Sequence, residues 1–142
     1  MEVSHVRKQL LDVMERVRKL AQEKRQRAVA IEKAYAGFLA DVATPIVRQL
    51  AAALKAEGHR FTVSTPGGSV RLASERTRDD YIELTLDGTL DPPNVIIRTS
   101  RTRGSRTLAE ERSIKPGAPP DTITEQEVLS FFLKALEPWL ER

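Results

Sequence analysis

Six apolar residues near the start of the chain, Val3, Val6, Leu10, Val13, Val17 and Leu20, recur at alternating steps of three and four. That spacing returns to one side of a helix and makes a narrow seam of the kind two helices share. Numbered as heptads with Val3 at position a, three heptads are clean. Lys24 and Arg27 then occupy the a and d positions and interrupt the seam. The apolar pattern resumes as Ala28, Ile31, Tyr35, Phe38 and Val42, shifted by about one turn. A helix over residues 3–42 would run roughly 60 Å at 1.5 Å per residue, longer than the rest of a domain this size can cover. An ordinary amphipathic helix packed on its own domain is the competing reading. The narrow stripe and heavily charged flanks favour pairing, with a dimer preferred over higher oligomers.

Thr44-Pro45 reads as a break, since Thr caps helices and Pro suits a first turn. A second helix is expected from Pro45 to about Glu57, ended by Gly58. The period then changes from helical to alternating. Phe61, Val63, Val70 and Leu72 flank Thr65-Pro66-Gly67-Gly68, where Pro followed by Gly suits a type II turn. Ile82, Leu84 and Leu86 alternate with Tyr81, Glu83 and Thr85, as in a half-buried strand. Val95-Ile96-Ile97 opens another strand, and a fifth near Thr107–Ile114 is poorly patterned. Short connections imply an antiparallel meander, because parallel neighbours need a long crossover.

Thr124-Glu125-Gln126-Glu127 is a capping box, and Ile123 with Val128 makes a hydrophobic staple beside it. The helix that follows is apolar around more than half its circumference and should touch two surfaces, with Pro138 bending or ending it. The expected fold class is therefore α+β. It comprises a long N-terminal coiled-coil-like helix, a short second helix, an antiparallel meander of four or five strands, and a C-terminal helix packed on the sheet. Residues 1–43 are expected to form a helical pairing arm, and residues 44–142 a compact α+β domain.

With 142 residues the chain is the size of one ordinary domain, and its lack of Cys excludes disulfide and thiolate chemistry. The first residues lack the apolar core of a secretory signal, and no run approaches about 20 consecutive apolar residues. The sequence thus reads as a cytoplasmic, bacterial-type soluble protein with no membrane partner. The net charge of +3 is unevenly placed, with a basic front and an acidic tail.

No catalytic constellation stands out. His5 and His59 are far apart and have no metal-ligand companions. The Thr65–Ser69 stretch lacks the lysine and helix of a phosphate loop. Asp79, Asp80, Glu83 and Asp87 read as a solvated acidic edge rather than a cation site. No enzyme activity, cofactor or metal is expected. Two basic stretches remain. Lys24, Arg25 and Arg27 could meet phosphates or be a solvated length of helix. Arg98, Arg101, Arg103 and Arg106 surround a Gly turn and could contact a nucleic-acid backbone or an acidic protein, or guard an edge strand.

The leading expectation is a non-enzymatic interaction or assembly protein. It would pair with itself or a partner helix through Val3, Val6, Leu10, Val13, Val17 and Leu20. The alternative is a nucleic-acid-binding accessory or regulatory factor using the two basic stretches.

Overall fold

The computed structural model describes residues 1–141 of the chain. Helix α1 covers Val3–Phe38, a single π turn covers Leu39–Ala43, and helix α2 covers Thr44–Ala56. Strands β1 (Phe61–Ser64), β2 (Val70–Ser74), β3 (Tyr81–Asp87), β4 (Asn94–Arg103) and β5 (Arg106–Ser113) follow. A short 3-10 turn at Pro120–Thr122 leads to helix α3, Glu125–Leu140. The fold is α+β, with a long N-terminal helix and a C-terminal helix over an antiparallel sheet.

The expected break at Thr44-Pro45 does not occur. Thr44 keeps helical angles (φ −62°, ψ −46°), and its N–H bonds the carbonyl of Leu39, five residues back. A proline inside a regular helix collides with the carbonyl four residues earlier. Widening one turn to the π spacing gives that carbonyl room, so the chain passes through Pro45 without stopping. The joined helix Val3–Ala56 contains a window long and apolar enough to cross a membrane by length and composition alone, and a third of that window is buried inside the protein. Much of its apolar surface faces the sheet: Tyr35, Phe38, Ala43, Ile46, Val47, Leu50 and Leu54 are all in the core.

The sheet is a simple meander in the order β1-β2-β3-β4-β5, every pair antiparallel. The register sets Val70 beside Leu84 and Leu84 beside Ile97, with Leu72 beside Ile82. These side chains share one face, which α2 and α3 cover. Phe132, Leu136 and Val128 of α3 are fully buried against it. The capping box forms as expected: Thr124 Oγ1 accepts from the Glu127 N–H at 3.1 Å, and Glu127 Oε1 accepts from the Thr124 N–H at 3.1 Å. Pro138 does not end α3, which runs on to Leu140.

The turn after β1 sits one residue later than the sequence suggests. Ser69 N–H bonds the Pro66 carbonyl at 2.9 Å, and Gly68 at the third position takes φ +74°, the left-handed geometry a type II turn needs. The fifth strand is real but exposed almost throughout. Neither of its faces is buried along most of its length, so no alternation marks it in the sequence.

Candidate interaction surface

Residues 1–22 of α1 are all exposed and form a free arm. The six seam residues point into solvent, with exposures from 43% at Val13 to 83% at Val3. Leu11 and Met14 widen the stripe and are about half exposed. Burial begins further along: Ala28, Ile31 and Ala34 are half-buried, and Tyr35 and Phe38 are buried. That last stretch rests on the Pro120–Thr122 turn. Tyr35 donates its hydroxyl to the Gly68 carbonyl, and burial raises its pKa well above the ordinary tyrosine value. Tyr35 and Phe38 thus belong to the packed body, although the sequence places them in the arm.

The basic residues separate into unlike groups. Lys24 of α1 lies 3.8 Å from Asp91 in the loop before β4, and both are exposed. Arg25 and Arg27 are exposed on the same helix. Arg98 is bound to Glu111 at 2.9 Å on the sheet face away from the helices. Arg101 and Arg103 lie on the other face, near the far end of β4, and Arg106 follows the turn. The ten residues of β4 hold Lys24 and Arg103 about 30 Å apart, so the two stretches expected to act together do not share a surface.

Arg101 and Arg103 instead meet residues the sequence gave no reason to group. With His59, Arg60 and Arg76 they line an open groove of about 780 Å³ at the end of the sheet. Among the described residues, Arg60, Arg76, Arg101 and Arg103 make no ion pair. Asp80 supports the groove rather than forming a solvated acidic edge. Its Oδ1 accepts from the Thr102 N–H at 2.6 Å and its Oδ2 from Trp139 Nε1 at 3.1 Å. Trp139 in turn stands edge-on to Phe61, with ring centres 6.1 Å apart. These contacts join loops distant in sequence, and no local motif announces them. A second groove of about 330 Å³ runs between α3 and the overhanging β4–β5 hairpin, floored by Ile97, Leu108, Phe131 and Ala135.

The uncovered sheet face carries an alternating row of charges. Arg71, Glu83, Arg98 and Glu111 stand opposite one another on β2, β3, β4 and β5. Glu83 is 6% exposed, so it is not the solvated residue expected from the sequence. Ser69 Oγ donates to its Oε1 at 2.6 Å and Arg71 to its Oε2 at 3.0 Å. The Arg71 guanidinium also lies 4.1 Å from the centre of the Tyr81 ring. Both Glu83 carboxylate oxygens thus have protein donors, while Arg71 Nε is buried without a hydrogen-bond partner among the described residues. No group of metal-ligating side chains occurs among the described residues. No known protein family, curated protein or solved structure matches the chain.

Proposed function

We propose that this protein is a non-enzymatic interaction or assembly protein that associates with itself through the arm of α1. The observation that supports this reading is the apolar stripe Val3–Leu20 on the stretch of α1 that is exposed at every residue. Helical stability in proteins comes mainly from packing an apolar face rather than from propensity. Covering the stripe with a second copy removes apolar surface from water at about 25 cal/mol per Å². The compact body then serves as the part presented to the assembly. Light scattering should give a dimer for the native chain and a monomer for the V13E/V17E double variant. A native chain that stays monomeric at high concentration would sink the proposal.

A second reading, nucleic-acid binding by an accessory factor, is favoured by Arg60, Arg76, Arg101 and Arg103 gathered around one groove with no ion pair among the described residues, although Asp80 and Glu141 also line it. Arginine binds phosphate through a planar fork, so backbone contact is the chemistry that suits the groove. Duplex DNA binding should then weaken steeply with salt and be lost in R101E/R103E. No binding at low salt rules it out.

A further inference from the structure

We infer that the basic groove at the end of the sheet seats a single strand of nucleic acid, with a base against Trp139 and phosphates on the flanking arginines. The inference rests on the nucleic-acid reading of that groove and names the form of nucleic acid it takes.

The arginines stand on two banks. On one, the Glu75 N–H bonds the Arg60 carbonyl at 3.1 Å. The residue entering β1 and the loop leaving β2 therefore run side by side, which places Arg60 and Arg76 on neighbouring segments. On the other bank, Arg101 and Arg103 alternate along the end of β4 and share one face of the sheet. Only β3 lies between β2 and β4, so the banks are roughly 10 Å apart, two strand spacings. Two residues along β4 separate Arg101 from Arg103 by about 6.8 Å. That step suits neighbouring phosphates of one extended strand.

Two carboxylates share the groove, and the four guanidiniums outnumber them. Asp80 is committed to the fold, since Oδ1 accepts from the Thr102 N–H and Oδ2 from Trp139 Nε1. Glu141 is exposed just past the end of α3.

Trp139 decides between strand and duplex. The arginine-rich stretch 98–106 contains no aromatic residue, and the fold supplies one from α3. The indole is half-buried, tethered through Nε1 to Asp80 and set edge-on to Phe61, so it is held in place before any ligand arrives. A fixed aromatic beside a basic groove is the arrangement that binds unpaired bases, because every base offers a π face for stacking. The bases of a duplex are already stacked on one another and cannot use it. All four cations are arginines, whose planar guanidinium both forks onto phosphate and stacks on rings. A peptide of Asp and Glu offers carboxylates to the same arginines but no flat ring to the indole.

Trp139 is the chain's one tryptophan, so its fluorescence reports on the groove directly. Oligothymidylate of about 12 nucleotides should quench it and bind the full chain at least about tenfold more tightly than a duplex of the same length. Affinity should fall with salt along a log–log slope of about −1.4 to −2.8, from two to four phosphates at about −0.7 each. R101E/R103E should lose at least about tenfold in affinity while its thermal unfolding stays cooperative, and R103E alone, at an exposed position, should move the same way. Duplex binding within that tenfold margin overturns the single-strand assignment and leaves the nucleic-acid reading standing. Polyglutamate that quenches Trp139 as strongly as the oligonucleotide overturns it in favour of an acidic protein. Binding that both arginine variants leave intact places the strand elsewhere. If neither oligonucleotide binds at low salt, the inference and the reading beneath it fall together.

Discussion

Glu83 illustrates how one side chain fixes the uncovered face of the sheet. It is buried, accepts hydrogen bonds from Ser69 Oγ and Arg71, and stands opposite Arg98 across the strand pair. Converting it to the neutral isostere keeps the shape and removes the anion from between two guanidiniums. E83Q should lower unfolding stability in urea by about 1.5–3 kcal/mol, the usual worth of hydrogen bonds to a charged group. Thr124 is a milder case. T124A removes one half of the capping box and should cost about 1 kcal/mol. The other half titrates. The Thr124 backbone N–H, helped by its hydroxyl and by Lys115, holds the Glu127 carboxyl below its ordinary 4.5. A depressed folded pKa gives stability that is present above the ordinary value and lost as pH falls through the folded one. The stability gap between the native chain and E127Q, followed by thermal melts, should therefore be full near neutrality and shrink in acid. A gap that persists unchanged in acid would show that the carboxylate is not what the cap uses.

Among the elements, α1 divides at about residue 22 into a part without neighbours and a part that is core. A charge placed in the first part should leave the fold intact. V13E should match the native chain in monomer stability at high dilution, whereas F132A in α3 should lose about 3–5 kcal/mol from the cavity it leaves. The sequence made the elements legible wherever burial was one-sided. β2 and β3 alternate because α2 and α3 cover one face only, and α3 begins at a cap written in four adjacent residues. β5 was faint because an edge strand exposed on both faces has no pattern to show. Pro45 misled for a different reason. Its local chemistry matches a helix start, and a π turn that absorbs it leaves no mark on the apolar periodicity. The arginine groove was invisible because Arg60, Arg76 and Arg101 come from separate loops and strands that only the meander brings together.

At the scale of the whole molecule, an exposed helical arm is attached to a well-packed body, and the apolar surface of the arm is the largest feature the fold leaves unexplained. The proposed self-association would cover it with a second copy. The basic groove lies on the body, at the end of the sheet. Amide hydrogen exchange of the full chain, followed at low and high protein concentration, tests the pairing where it should occur. Amides of residues 3–22 are expected to be protected at high concentration and to lose that protection on dilution, while those of the sheet stay unchanged. Rapid exchange in the arm at both concentrations would contradict self-association through α1.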